Sequence, residues 1–122
     1  MMKITTRDRE RMEHTHHIAA QSLCRYRMGA IIYRGAKPIS VGINIIKSHP
    51  EHSNYGPHVI SIHAEHRAIL RARVDVTGST LYIARDGGTT SKPCASCRAY
   101  MQEAGIAVVV YMAANSITKE LV

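Results

Sequence analysis

The 122-residue sequence contains no Trp and no Phe. Any stacking against a nucleobase must therefore use its six Tyr, or arginine planes. Cysteine is scarce and odd in number, with three residues at positions 24, 94 and 97. A disulfide framework calls for an even count in an exported chain, so these cysteines read instead as metal ligands, a redox pair or core residues. No apolar run approaches the roughly 20 residues that cross a bilayer. The opening stretch MMKITTRDRERMEHTHH lacks the apolar core of a secretory signal. Both absences point to a cytoplasmic protein with no membrane partner. Acidic residues are also few: nine Asp and Glu stand against sixteen Lys and Arg, a net charge of +7. That excess suits an anionic partner such as a nucleotide phosphate or single-stranded nucleic acid, although a basic surface can also simply be solvated. Repeats, low-complexity tracts and linkers are missing, and the length fits one domain over residues 1–122.

What is present alternates helical and extended patterns. Residues 7–24 lack Gly and Pro and carry a loose apolar stripe at Met12, Ile18, Ala19 and Leu23, which predicts a helix. MGAIIYR (28–34) and ISVGINII (39–46) are rich in β-branched residues and flank RGAKP, so they predict a hairpin. A long polar stretch, 47–60, follows, of a length often found in functional loops. Residues 63–73 predict a helix, 79–85 a strand, 94–104 a helix ended by Gly105, and 106–112 a strand apolar enough to be buried on both faces. The last residues predict a short helix. Such an order implies an α/β three-layer α-β-α domain with a mixed sheet between helices.

Chemistry concentrates in two short stretches. In SKPCASC (91–97), Ser91 suits a helix cap and Pro93 the first turn, so Cys94 and Cys97 lie at i and i+3 near a helix N-terminus. The positive end of the helix dipole there favours thiolate, a good zinc ligand. In SIHAEHRAIL (61–70), His63 and Glu65 are two positions apart and do not share a helix face. A site lying off the end of the helix removes that conflict, because first-turn side chains fan around it. One His and two Cys then make three protein ligands, which leaves a zinc a fourth position for water. Two thiolates weaken the ion as a Lewis acid, so a general base is needed, and Glu65 is the candidate.

His63-Ala64-Glu65 followed by Pro93-Cys94-Ala95-Ser96-Cys97 is the H-x-E, P-C-x-x-C pattern of zinc nucleobase deaminases. On these motifs, with GAIIYRG and VGIN upstream and the run from PCASC into AGIAVVVY, the chain resembles the cytidine/deoxycytidylate deaminase superfamily, in particular its phage-type cytidylate branch. The resemblance implies a cytidine deaminase-like fold with a sheet of four or five strands, since the chain stops near where the family places its fifth. It implies Zn2+ held by His63, Cys94 and Cys97, and Glu65 as the proton shuttle. Hydrolysis at C4 of a cytosine then yields uracil and ammonia. It also puts Asn44 at the sugar or base, the Ala64 N–H near the pyrimidine carbonyl, and suggests assembly as a homo-oligomer. Two positions depart from the pattern. Arg67 stands where cytidylate deaminases often have Asn, and Thr90, Ser91 and Lys92 stand where polynucleotide deaminases often have an aromatic.

Further candidates for substrate contact are Tyr55, for stacking, and Arg67, Arg85 and Lys92, for phosphate. Loop histidines 49, 52 and 58 fit polar loop residues better than a second metal site, and Cys24 fits a small buried residue. The substrate expected first is a free nucleotide such as deoxycytidylate. The alternatives are cytosine or adenosine in single-stranded DNA or RNA, a redox CxxC, a structural zinc completed by Cys24 or a loop His, and a non-catalytic zinc-stabilised nucleic-acid-binding module.

Overall fold

The computed structural model describes residues 2–48 and 59–122. Helix α1 (Thr6–Ala19) opens on a capping box: the Thr5 hydroxyl accepts from the Asp8 N–H, and the Asp8 carboxylate accepts from the Thr5 N–H. It is shorter than its pattern predicts. Residues 20–27 leave the helix as an irregular segment, a difference that the absence of Gly and Pro concealed. Strands β1 (Met28–Arg34) and β2 (Lys37–Ile43) form the expected antiparallel hairpin. Pro38 is tolerated because β2 is an edge strand, where a missing N–H costs no ladder bond. The predicted strand 39–46 breaks at Asn44, and β3 (Ile45–Ser48) pairs instead with β4 (Val59–Ile62) in a separate two-stranded sheet. The rest of the long polar stretch, residues 49–58, lies outside the described residues. Then come α2 (Ala64–Arg71), β5 (Thr80–Arg85), α3 (Ala95–Ala104), β6 (Val108–Ala113) and β7 (Ser116–Leu121).

The main sheet has five strands in the order β2-β1-β5-β6-β7, with β5 and β6 parallel and the other neighbours antiparallel. The period of two along β1, β5 and β6 sorts their side chains into two cores. Ala30, Ile32, Leu81, Ile83 and Val109 face α2 and α3, while Ile31, Tyr33, Tyr82, Ala84 and Val110 face α1. These strands are buried on both sides, as the apolar run of β6 predicts, and the result is the three-layer α-β-α architecture. The C-terminus is a strand, not the predicted helix. Ala114 and Asn115, at φ +48° and +68°, make a two-residue turn that folds β7 back onto β6. No helix among the described residues is long and apolar enough to cross a membrane.

Two glycines set the helices that carry the motifs. At Gly42 of β2 a Cβ would come within 2.4 Å of the Ala68 nitrogen and 2.5 Å of the Ala64 oxygen, so α2 lies directly on the strand backbone. Gly105 ends α3 in the left-handed conformation, φ +86°, which turns the chain into the parallel strand β6. The His66 and Tyr100 rings, 4.2 Å apart, join α2 to α3.

Candidate metal centre and active site

Both motifs sit at helix starts. His63 is the N-cap of α2, and its side chain makes no capping bond, which leaves the ring available. Cys94 is the N-cap of α3, a role the sequence assigns to Ser91. Ser91 is instead buried, donating its hydroxyl to the Ile83 carbonyl and accepting from the Met112 N–H, so it pins the preceding loop between β5 and β6. Pro93 lies just before the cap. The Cys94 sulfur accepts from the Cys97 N–H at 3.4 Å, a bond that favours thiolate.

The fold brings the three donors together. His63 Nδ1 lies 3.1 Å from Cys97 Sγ and 3.7 Å from Cys94 Sγ, and all three ligand atoms fall within 4.8 Å of one another. Zinc bonds of about 2.3 Å to sulfur and 2.0–2.1 Å to nitrogen, at tetrahedral angles, require N···S separations of about 3.6 Å. The observed pair brackets that value, so the cluster fits zinc. Among the described residues no fourth His, Cys, Asp or Glu joins the cluster, and Cys24 is not part of it. Three protein donors are the set of a catalytic rather than a structural zinc. Burial, then Glu65 and Cys94, push the Cys97 thiol above its ordinary range, opposite to the dipole expectation. A divalent cation is the charge that reverses this balance.

Glu65, in the first turn of α2, is 4 % exposed. Its burial raises its carboxyl above the ordinary range, with its own backbone N–H and the neighbouring His63 and His66 opposing. With His63 and Cys94 it lines a cavity of about 340 Å3, at the small end of ligand clefts. Ala64, fully buried, is the first residue of α2, where N–H groups have no intrahelical acceptor. Asn44 also lines the cavity, but most of its polar capacity is spent within the protein. Its Oδ1 accepts from the Ser22 hydroxyl (2.6 Å) and the Met28 N–H (2.9 Å), and its Nδ2 donates to the Tyr26 carbonyl (2.6 Å).

Lys92 lines the cavity as well. Arg85 does not, but lies against Tyr26, which does. Arg67 is outside the lining, and its Nε is buried with no hydrogen-bond partner among the described residues. Tyr55 and the histidines 49, 52 and 58 lie outside the described residues. Sequence reasoning missed the wall made by Cys24, Arg25, Tyr26 and Met28. Between the helix and β1 this segment carries no periodicity to read, and Asn44 and Asp86 hold it against the site.

The fold has counterparts of known structure. Residues 5–113 match the family model described as the cytidine and deoxycytidylate deaminase zinc-binding region. A dCMP deaminase from the cyanophage S-TIM5, solved with dCMP and dUMP, superposes with a TM-score of 0.61 at 18 % identity, covering 88 % of this chain and 80 % of that one. A cytidine deaminase from Burkholderia pseudomallei gives 0.66 at 16 % identity, over 90 % and 88 % of the two chains. A larger Thermotoga maritima diaminohydroxyphosphoribosylaminopyrimidine deaminase/5-amino-6-(5-phosphoribosylamino)uracil reductase gives 0.55 at 22 %, over 80 % of this chain and 27 % of that one. Comparison with curated protein sequences found no match. The structural likenesses speak to the fold; the family match spans nearly the whole chain and contains all three zinc-type donors, so the chain belongs to the cytidine and deoxycytidylate family of zinc-dependent deaminases.

Proposed function

We propose that the protein deaminates a cytosine base to uracil by hydrolysis, on a free (deoxy)cytidine nucleotide. The observation that carries this reading is one buried carboxylate, Glu65, sharing a small cavity with two of three zinc-type donors. His63, Cys94 and Cys97 would hold the zinc, which when bound supplies the Lewis acidity that makes water a nucleophile near neutral pH. Two thiolate donors temper that acidity, so a protein base is needed. The Glu65 carboxylate accepts a proton from the attacking water and passes it to ring N3. It takes the second water proton and delivers it to the amine at C4, where the new C–O bond stands and the C–N bond breaks as ammonia leaves. A carboxyl whose burial raises its hold on a proton suits this cycle. The Ala64 N–H is the donor for the pyrimidine carbonyl. Asn44 contributes its one remaining N–H at the cavity wall, and Lys92, with Arg85 behind the wall, meets the phosphate. Free thiols at 94 and 97 suit a reducing compartment, the cytoplasm.

The test is ammonia release from the zinc-loaded chain given dCMP, dCTP, cytidine, adenosine or single-stranded oligonucleotides. We expect turnover of dCMP, and a fall of about 10²–10⁴-fold in Glu65→Gln with its zinc retained. Undiminished turnover in Glu65→Gln removes Glu65 from the mechanism. The net charge of +7 favours one second reading, action on cytosine or adenosine in single-stranded DNA or RNA. Ammonia from oligonucleotides alone would establish it in place of the first.

A further inference from the structure

One wall of the cavity is not used by the chemistry above. Tyr26, 55 % exposed, lines it, and two guanidinium groups converge on its ring: Arg85 at 4.7 Å and Arg25 at 5.5 Å from the centroid. A guanidinium over an aromatic face is oriented by the ring's quadrupole and spends none of its N–H donors, which stay in its own plane. The neighbouring Arg27 is differently placed, since it is neutralised by Asp86 at 2.7 Å. Among the described residues neither Arg25 nor Arg85 has such a carboxylate partner. Lys92 adds a third cation to the same mouth, and among the described residues Glu65 is the one carboxylate in the lining. Two cations kept unpaired and pre-oriented beside a nucleotide-sized cleft form a receptor for a dianion.

Gly88 completes the arrangement. A Cβ there would fall 2.5 Å from Arg85 Cδ, 2.7 Å from Cγ and 2.8 Å from Nε. The Arg85 stem thus runs through the space a side chain at 88 would fill, and the Gly88 N–H donates back to the Arg85 carbonyl. The Tyr26 backbone is held in turn by Asn44.

We propose that Tyr26 and Gly88 are positioning residues that set Arg85 and Arg25 as a clamp for the substrate phosphate, so that the site selects nucleotides over nucleosides; this rests on the deaminase reading above. The clamp is tested on zinc-loaded full chains carrying Tyr26→Leu, Tyr26→Phe or Gly88→Ala. Each is assayed with dCMP and deoxycytidine and titrated calorimetrically with dUMP and deoxyuridine. Losing a pre-oriented charge-assisted contact lowers the dCMP-to-deoxycytidine ratio of kcat/KM by about 10- to 100-fold. That fall is expected in Tyr26→Leu and Gly88→Ala, mainly through KM, while Tyr26→Phe keeps the ring and the ratio. Gly88→Ala displaces only a flexible side chain, so the fold survives it. The preference for dUMP over deoxyuridine falls in parallel. An unchanged ratio in both disruptive variants overturns the clamp and leaves the deaminase reading intact. No turnover of either substrate, with a dUMP preference that the two variants abolish, defeats that reading and supports the clamp. Equal binding of dUMP and deoxyuridine by the unsubstituted chain overturns the clamp.

Discussion

Asn44 shows how one side chain can build a site it barely touches. It interrupts the edge strand, and its amide holds Ser22, Tyr26 and Met28, three points along the segment that walls the cavity. The Asn44 carbonyl, 3.0 Å from the Ser22 hydroxyl, offers the same O–H a second acceptor. Asn44→Ala leaves the part-buried Met28 N–H and the Tyr26 carbonyl without their side-chain partner, while Ser22 keeps the Asn44 carbonyl. The expected loss is about 2–4 kcal/mol, read by thermal or denaturant unfolding. Amide exchange at Met28 should quicken with it. Unfolding midpoints and Met28 exchange like those of the unsubstituted chain would show that the wall is held by something else.

At the level of elements, α1 is fastened to the sheet by one buried carboxylate. Asp8 caps its own helix, accepts from the Tyr82 hydroxyl on β5, and pairs with Lys119 of β7 at 3.0 Å. Burial alone would raise its pKa. The bonds from Tyr82, the Thr5 backbone, Lys119 and the Thr5 hydroxyl outweigh burial and lower it from 3.8 to about 2. Tyr82 is pushed up to about 12 by burial and then by Asp8. Because the folded pKa is depressed, this contribution is full above about pH 4 and is lost as pH falls towards 2. Its size is on the order of 2 kcal/mol. Unfolding measured between pH 5 and 2 should therefore steepen in the natural chain relative to Asp8→Asn. Parallel pH profiles for the two would remove Asp8 from the acid response. The partner strand β7 was hidden in the sequence because its turn uses Ala114 and Asn115 where Asn-Gly or Asp-Gly would have announced a hairpin.

For the molecule as a whole, the donor cluster is a long-range tie. His63 begins α2 and the two cysteines begin α3, so a bound ion links two helices about thirty residues apart on the same face of the sheet. Zinc at about 100 times its dissociation constant should add about 2.7 kcal/mol and raise Tm by on the order of 10 °C. A chelator should reverse the shift, and Cys97→Ser should abolish most of it. Loading should also release protons, since burial holds the Cys97 thiol protonated until a cation arrives. A Tm indifferent to zinc, checked by calorimetry, would mean that the ion does not bind there.

The sequence by itself determined what depends on local spacing. His63-Ala64-Glu65 and Pro93-Cys94-Ala95-Ser96-Cys97 name a zinc-type donor set, and β-branched and apolar runs name most strands, because periodicity and ligand chemistry are written in neighbouring residues. Only the tertiary structure decided what depends on distant partners. The diversion of Ser91 from the cap to Met112, the fifth strand, the edge break at Asn44 and the cationic wall around Tyr26 all rest on bonds or contacts between residues far apart in the chain or on left-handed backbone at an alanine. Such positions are selected by the closure of the whole sheet, and no short window of sequence carries that information.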